Sequence, residues 1–218
     1  MILHLTHCLS SVDLEVIHEA MEAVPFYDGK KTAGRAAREV KNNQQADNVA
    51  VTGILRLIEQ RLQDHDLFKQ AARPKQFVRL MLSRYQPGMA YGTHADEALI
   101  NEQRTDISFT VFLSASDAYQ GGELVLEDSS GERSWKLNAG DVLLYPATYL
   151  HRVNKVEEGE RLVVVGWVTS WLRDAGQREL LFDLELSLRE EFDSHGKTAQ
   201  YDRLSKVRNN LLRMWLER

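Results

Sequence analysis

Apolar residues recur at helical spacing in the first part of the chain. Between residues 10 and 24 they return every three or four positions, and Ser10 and Asp13 offer cap groups, which predicts a first helix. A second helix is predicted over residues 48–68, because its apolar residues again fall on one face. The polar stretch between them, residues 28–48, contains glycines and several basic residues and predicts a loop or short strands.

The pattern becomes that of a β protein after Pro74. Residues 77–85 form a largely apolar run that ends at the turn signal Pro87-Gly88, which predicts a strand. Further short strands are predicted at residues 106–114, 123–127, 134–137, 142–145, 151–153 and 161–171. Short strands punctuated by turn residues predict an antiparallel sandwich or barrel.

Helical spacing returns after Asp174, and two C-terminal helices are predicted around residues 180–188 and 204–215. We therefore expect an α+β protein with a mainly β core and flanking helices. The predicted organisation is an N-terminal helical or lid segment (1–75), a β domain (76–175) and a C-terminal helical segment (176–218).

The composition is that of an ordinary globular protein. Of 218 residues, 43% are hydrophobic and 27% are charged, and the net charge is −5 with scattered Lys and Arg, which argues against a nucleic-acid surface. No apolar run is long enough to span a membrane, and the N-terminus does not resemble a signal peptide. The single cysteine, Cys8, suits a reducing compartment. These features predict a soluble cytoplasmic protein that binds neither membranes nor nucleic acid.

A candidate metal site begins with His94 and Asp96. In an extended segment, residues two apart face the same side, so an imidazole and a carboxylate could reach one metal ion. His151, where a later strand begins, could supply a third ligand. A His-x-Asp triplet alone is common, but both histidines lie beside turns of the β core, where sites tend to be found. Two imidazoles and one carboxylate, with open positions left over, are typical of non-haem iron(II) oxygenases.

Arg161 opens the apolar strand that follows His151. An arginine in such a strand is costly unless its charge is paired. One interpretation is an ion pair with Glu157 or Glu160 at the exposed end of the strand. The other is bidentate binding of a carboxylate of a small diacid. The residues alone leave both open.

A set of motifs now points to a known family. In order along the chain they are Tyr85-Gln86-Pro87-Gly88, His94-x-Asp96, Gly121-Gly122-Glu123-Leu124, Gly140-Asp141, His151 and Arg161. Their order and spacing resemble those of prolyl-hydroxylase-like 2-oxoglutarate oxygenases. Residues 28–34 and 41–44 resemble the N-terminal segment of the bacterial PKHD-type hydroxylases in particular. The resemblance extends roughly from Phe26 to Asp174.

The resemblance implies a double-stranded β-helix (jelly-roll) core with iron(II) on the catalytic residues His94, Asp96 and His151. It also implies that 2-oxoglutarate places its distal carboxylate on Arg161 and accepts a hydrogen bond from Tyr85, with ascorbate as a helper.

The chain departs from the family pattern at one position. Phe112 stands where prolyl hydroxylases often have a second tyrosine, and its side chain cannot donate a hydrogen bond. Ser108, Thr110 or another group would therefore have to assist Arg161.

The implied function is a dioxygenase that couples decarboxylation of 2-oxoglutarate to succinate with hydroxylation of an amino-acid side chain or small molecule, using O2. Two alternatives stay open: a repair oxygenase for alkylated nucleic acid, which the acidic balance disfavours, and a non-catalytic iron or 2-oxoglutarate sensor of the same fold. The C-terminal helices could form a homo-oligomer.

Two further features have interpretations of their own. Five basic residues within 28–48 are expected to be a solvated loop or a lid over the site: Lys30, Lys31, Arg35, Arg38 and Lys41. The tryptophans Trp135, Trp167 and Trp171 are expected to be aromatics of the core or its rim.

Overall fold

Strands make up the centre of the molecule, and helices lie at both ends of the chain. The structure, a computed structural model, describes residues 1–216. The helices are α1 (Ser11–Met21), α2 (Arg35–Val40), α3 (Thr52–Asp64), α4 (Asp66–Ala72), α5 (Ala175–His195) and α6 (Ala199–Trp215), and a short 3-10 helix spans Gly29–Thr32.

The strands follow the same chain order. They are β1 (Leu3–Leu5), β2 (Phe26–Asp28), β3 (Lys41–Asn42), β4 (Gln44–Ala46), β5 (Pro74–Tyr85), β6 (Ala90–His94), β7 (Leu99–Ile100), β8 (Gln103–Arg104), β9 (Ile107–Phe112), β10 (Tyr119–Gly121), β11 (Leu124–Asp128), β12 (Gly131–Trp135), β13 (Val142–Pro146), β14 (Leu150–Val153), β15 (Val156–Gly159) and β16 (Arg161–Ser170).

Two antiparallel sheets form a jelly roll. The larger sheet has seven strands in the order β1-β13-β9-β16-β5-β4-β2, and the smaller has five in the order β12-β11-β14-β6-β3. Two short ribbons, β10-β15 and β7-β8, complete the strand pairing. The two sheets share an apolar layer to which Phe112 and Val163 contribute from the larger sheet and Leu124 and Leu126 from the smaller.

The larger sheet is buried on both faces, and its residues alternate between them. On β5 and β16, Leu80, Leu82, Leu162 and Val164 join a second apolar layer beneath helices α1, α3, α4 and α5. The residues between them on the same strands face the smaller sheet. One face of β5 and β16 therefore lines the space between the two sheets.

Helix α1 is tied to α3 by one carboxylate. Asp13 accepts hydrogen bonds from the Ser10 backbone N–H (2.9 Å) and from Arg61 Nη2 (2.8 Å), while Ser10 Oγ accepts one from the Asp13 N–H (3.1 Å). This is a capping box with an added ion pair. The hydrogen bond from Arg61 is the largest influence on the Asp13 carboxyl and holds its pKa well below its usual range. Burial of the carboxylate acts in the opposite direction, because it raises that pKa.

The predicted helix over residues 48–68 is wrong as a single element. His65 has an extended backbone between α3 and α4, and its Nδ1 accepts a hydrogen bond from the Phe68 N–H at 3.4 Å. The chain therefore ends one helix and caps the next at the same residue. The apolar spacing continued through the break because both helices bury residues against the same layer: Ile58 and Leu62 from α3, and Phe68 from α4.

The predicted strands match the structure to within a few residues, and the first C-terminal helix, α5, is longer than predicted. The predicted loop at 28–48 contains the short helix α2 besides its strands. Six strands were not predicted: β1, β6, β7, β8, β10 and β15. Residues Glu217 and Arg218, at the end of the predicted C-terminal segment, lie outside the described residues. No helix within residues 1–216 combines the length and apolar character needed to cross a bilayer.

Candidate metal centre

Strand pairing brings His94, Asp96 and His151 together. β6 and β14 are antiparallel neighbours in the smaller sheet, and His94 and His151 are register partners. Asp96 lies two residues beyond the end of β6, with its Oδ1 3.7 Å from His151 Nε2. One ligand atom from each side chain lies within 4.8 Å of the others, and among residues 1–216 this is the group of His, Cys, Asp or Glu that could hold a metal ion.

Backbone carbonyls orient both imidazoles. His94 Nδ1 lies 2.9 Å from the Gly92 carbonyl oxygen, and His151 Nδ1 lies 3.0 Å from the Tyr149 carbonyl oxygen. A carbonyl only accepts, so each Nδ1 carries the proton and each Nε2 keeps its lone pair. Metal-binding histidines are usually held in this way. The donor set offers two neutral nitrogens and one carboxylate, which fits iron(II).

The electrostatics keep His94 neutral. Burial is the main cause and the neighbouring His151 the second, and together they lower the His94 pKa to about 4. A proton therefore competes for its Nε2 only in acid well below neutral pH.

Groups around the cluster restrict its motion. Ser108 Oγ, from β9 of the larger sheet, donates a hydrogen bond to Asp96 Oδ2 at 2.5 Å and so links the two sheets at the site. The Tyr91 ring stacks on His94 with 3.8 Å between centroids, and Tyr145 lies edge-on to His151 at 5.4 Å. Three side chains thus hold the imidazoles and the carboxylate in one arrangement.

Arg161 lies at the closed end of the same cavity. It is 1% exposed and is the register partner of Tyr85 across β16 and β5. Its guanidinium carbon lies 5.1 Å from the Tyr85 ring centroid and 5.5 Å from that of Phe112. Within residues 1–216, its Nε and Nη1 are buried without a hydrogen-bond partner.

The structure decides between the two interpretations of Arg161. Glu160 forms its ion pair with Arg84 (3.7 Å), not with Arg161. Glu157 forms no ion pair with Arg161 either, in the part of the chain that is described. A buried guanidinium with free donors is costly by itself, and a carboxylate is a group that could satisfy these donors.

Neither Ser108 nor Thr110, the two residues that the sequence suggested, supplies a free hydroxyl beside Arg161. Ser108 is engaged by Asp96, and Thr110 lies beside the Tyr145 hydroxyl. Tyr119, on β10, is buried and its hydroxyl has no hydrogen-bond partner among the described residues. Burial raises the pKa of Tyr119, and the adjacent Arg161 opposes that rise.

Sequence reasoning missed Tyr119, and the nearest signal for it was the Gly121-Gly122 pair. Gly122 has φ +68°, and a Cβ there would lie 3.0 Å from Tyr119 Cε2 and 3.1 Å from Arg161 Cδ. Glycine is therefore needed both for the backbone conformation and for the room it leaves these two side chains.

A single cavity connects these parts. Arg161 and Tyr85 line it at one end of β16 and β5, and Trp167 and Arg79 line it six residues away on the same strands. Lys41, Thr110 and the His-Asp-His cluster line it as well. The basic stretch is split accordingly: Lys30, Lys31, Arg35 and Arg38 are exposed, whereas Lys41 is buried and its neighbours Thr32, Ala33, Gly34 and Ala37 line the cavity.

Two family models match the chain. The model of the 2OG-Fe(II) oxygenase superfamily matches residues 80–169, and that of the PKHD-type hydroxylase C-terminal domain matches residues 175–217. A PKHD-type hydroxylase of Idiomarina loihiensis is 50% identical over 215 residues, which is 99% of both chains. Another, of Parvibaculum lavamentivorans, is 50% identical over 193 residues, or 88% of each chain.

Solved structures share the fold at low identity. A 2OG-Fe(II) oxygenase of Burkholderia pseudomallei aligns with a TM-score of 0.57 and 18% identity, covering 76% of this chain and 82% of that one. A prolyl-4-hydroxylase of Pseudomonas putida aligns with a TM-score of 0.53 and 17% identity, covering 78% and 92%. These likenesses support the jelly-roll architecture.

Proposed function

The chain belongs to the PKHD-type hydroxylases of the 2OG-Fe(II) oxygenase superfamily, and from that premise we propose that the His-Asp-His cluster and Arg161 form its active site. The predicted resemblance and the jelly-roll fold are confirmed. The protein is a 2-oxoglutarate-dependent dioxygenase, with 2-oxoglutarate and O2 as co-substrates. Bound iron(II) would allow O2 to act as the oxidant. One oxygen atom would enter succinate as 2-oxoglutarate loses carbon dioxide, and the other would enter the substrate as its new hydroxyl group.

We assign the metal to His94, Asp96 and His151, which would act as the catalytic centre. The support is that one ligand atom of each of the three side chains lies within 4.8 Å of the others, while both Nδ1 atoms are engaged by backbone carbonyls. Three protein ligands leave positions for a bidentate co-substrate and for O2.

We assign the distal carboxylate of 2-oxoglutarate to Arg161, and this assignment carries the proposal. A fully buried guanidinium with unpartnered donors, in one cavity with a three-ligand metal site, has no structural purpose within the protein itself. Tyr85 would hydrogen-bond the co-substrate, and Tyr119 would supply the second hydroxyl that Phe112 lacks. Aromatic walls on both sides of Arg161 would exclude water from the carboxylate.

The remaining expectations extend this proposal. The substrate would be an amino-acid side chain or small molecule, ascorbate would keep the iron reduced, and the enzyme would work in the cytoplasm. Residues 1–75 would pack on the jelly-roll domain 76–175 and contribute the strands β1 to β4 to its two sheets, and 176–218 would be a C-terminal helical segment. A homo-oligomer through α5 and α6 is supported by apolar side chains on α6 that are open to solvent, Val207 at 49% and Met214 at 73% exposure.

The experiment that tests the proposal is succinate release from 2-oxoglutarate by protein loaded with iron(II), in the presence of ascorbate and O2. Asp96→Ala should reduce the rate to that of iron(II) without protein. Asp193→Ala, which removes an exposed carboxylate from α5, is the matched control and should behave like wild type. If wild type and Asp96→Ala release succinate at the same background rate, the proposed active site is wrong.

A further inference from the structure

The outer end of the cavity contains an arginine without a partner. Arg79, Met81, Ser83 and Tyr85 alternate along β5 and all line the cavity. Arg79 is half-buried, and its burial lowers the pKa of the guanidinium. Across residues 1–216, the Arg79 side chain makes no hydrogen bond and no ion pair, although the backbone of β5 is paired with β16 in the larger sheet.

A second cation lies next to it. Lys41 is 4% exposed, and its Nζ donates to Thr32 Oγ1 at 3.1 Å and lies 5.0 Å from the Tyr91 ring centroid. In the described part of the chain it forms no ion pair. Burial and then the positive charge of Arg79 lower the Lys41 pKa to about 8, which leaves the ammonium mostly charged at neutral pH.

A third hydrogen-bond donor that lines this cavity is the indole N–H of Trp167. Trp167 is the register partner of Arg79 on β5 and of Ser108 on β9. Its ring lines the cavity, and its Nε1 is buried without a hydrogen-bond partner within residues 1–216. Donors therefore come from β16, from β5 and from the segment that follows α2.

The carboxylates near this end do not neutralise it. Asp96 accepts from Ser108 and faces His151, so its charge belongs to the metal centre. Asp28 and Asp96 influence Lys41 only from beyond ion-pair distance. Glu97 lines the cavity but is exposed, and in the described residues it forms no ion pair with Arg79 or Lys41.

Guanidinium, ammonium and indole N–H groups donate hydrogen bonds and do not accept them. The buried ammonium of Lys41 and the half-buried guanidinium of Arg79 repel each other, and an anion near both would relieve that repulsion. A group of anionic oxygens on a ligand could accept from both cations and from the indole N–H. In the described part of the chain, no carboxylate forms an ion pair with either cation.

We propose that Arg79, Lys41 and Trp167 bind a carboxylate or phosphate group of the substrate that is hydroxylated. The inference rests on the proposed function, because it takes the His-Asp-His cluster as the metal centre. Ser108, the register partner of Trp167, donates to Asp96, so the metal centre lies near the level of Arg79 and Trp167 on the larger sheet. 2-Oxoglutarate would extend from the metal towards Arg161, while the substrate's anion would bind at Arg79. The substrate is then an anionic small molecule or residue whose reactive C–H lies over the metal.

The test is anaerobic calorimetry on protein loaded with iron(II) and equimolar 2-oxoglutarate, which fills the Arg161 end. N-Acetylglycine carries a carboxylate, methyl phosphate carries a phosphate, and N-acetylglycinamide is the neutral counterpart of the first. The expected result is that at least one anion binds and the amide binds at least about tenfold more weakly, since charge-assisted hydrogen bonds contribute about 1.5–3 kcal/mol. Comparing the affinities of N-acetylglycine and methyl phosphate shows whether the site prefers a carboxylate or a phosphate.

Variants of Arg79 test whether this side chain binds the anion. Arg79→Gln should weaken the bound anion about tenfold to a hundredfold, and Arg79→Lys should weaken it less because the charge remains without the fork. Arg56→Gln, which removes an exposed arginine from α3, is the matched control. Equal binding of acid and amide, no binding of either anion, or equal losses in Arg79→Gln and Arg56→Gln would overturn the proposal.

The two proposals fail separately. Binding is measured without O2 and does not depend on turnover. Loss of succinate release by wild-type protein would contradict the proposed function, whereas the absence of charge discrimination in a protein that does release succinate would contradict only the anionic substrate.

Discussion

The two ends of the cavity contain the same chemistry in different surroundings. Arg161 and Arg79 lie on neighbouring strands, on the same face of the larger sheet, and neither has an anionic partner within residues 1–216. Arg161 is enclosed by the rings of Tyr85 and Phe112. Arg79 is half-open beside Lys41, which belongs to a short segment next to the exposed helix α2.

The difference matches what each end would bind. A deeply buried cation interacts strongly with a carboxylate but admits only a ligand that fits its walls, which suits a co-substrate that never changes. A half-buried guanidinium such as that of Arg79 binds an anion less strongly, but it allows the ligand to enter and leave. Strand pairing sets the separation, because Tyr85 and Arg79 are six residues apart on β5, or about 20 Å of strand.

The largest effect is expected from removing the centre that both ends share. Asp96→Ala should weaken iron(II) binding at least about a hundredfold, since mutation of supporting groups alone typically costs about 10–100-fold. Titration of the protein with Co(II), followed by its absorption spectrum, measures this. Retention of wild-type affinity would mean that Asp96 is not a ligand and that the two ends do not share a metal.

Next is Arg161→Met, which tests the closed end. It should weaken 2-oxoglutarate binding about a hundredfold to a thousandfold, because a buried carboxylate would lose its partner. Without 2-oxoglutarate the same variant should have a higher free energy of unfolding, by about 1–3 kcal/mol, since an unpaired buried cation is removed. Calorimetry and urea unfolding measure the two effects, with Arg56→Met as control. Loss of iron(II) and 2-oxoglutarate binding together would make Arg161 structural.

A smaller effect is expected where the larger sheet supports the metal centre. Ser108→Ala removes the hydrogen bond to Asp96 Oδ2 and should weaken iron(II) binding about tenfold. The same Co(II) titration measures it, with Ser187→Ala on the exposed face of α5 as control. An unchanged affinity would show that the carboxylate holds its position without the second sheet.

Tyr119→Phe should reduce 2-oxoglutarate affinity about two- to tenfold, the value of one hydrogen bond. Tyr27→Phe removes an exposed hydroxyl and is the control. If Tyr119→Phe binds 2-oxoglutarate as wild type does, Arg161 binds the distal carboxylate without this hydroxyl.

The smallest effect is expected from mild acid on His94. Its pKa is lowered to about 4, below the unfolded value near 6.5, so the ring should be almost entirely neutral at pH 5.5 in metal-free protein. The unfolded state takes up this proton first, and the His94 contribution to the free energy of unfolding therefore falls as pH drops from about 6.5 to about 4. NMR titration of the ring measures the midpoint. A midpoint near 6.5 would contradict the burial of this imidazole.

Some of the site was predictable because it is local. His94 and Asp96 are two residues apart near the end of one strand, and the spacing already placed them on one side. Arg161 could be placed on a strand, but two interpretations of its partner were equal. Its burial depends on Tyr85, Phe112 and Tyr119, which come from three other strands.

Other parts depended on contacts that are distant in sequence. The break at His65 left the apolar spacing undisturbed, and α2 is too short for a periodic signal. Tyr119 reaches Arg161 through a β10-β15 ribbon that no pattern predicted, so its role beside Phe112 was not visible.

The sequence by itself predicted an antiparallel β core and the three candidate metal ligands, because motif spacing and strand alternation are properties of short segments. Its resemblance to a known family implied the jelly roll. Only the tertiary structure decided that Nε and Nη1 of the buried Arg161 have no partner among the described residues and that Arg79, Lys41 and Trp167 line the same cavity. The physical reason is that burial and charge pairing depend on which strands lie side by side. The residues that line this cavity are separated by up to 135 positions, from Thr32 to Trp167, and local patterns carry no information over that distance.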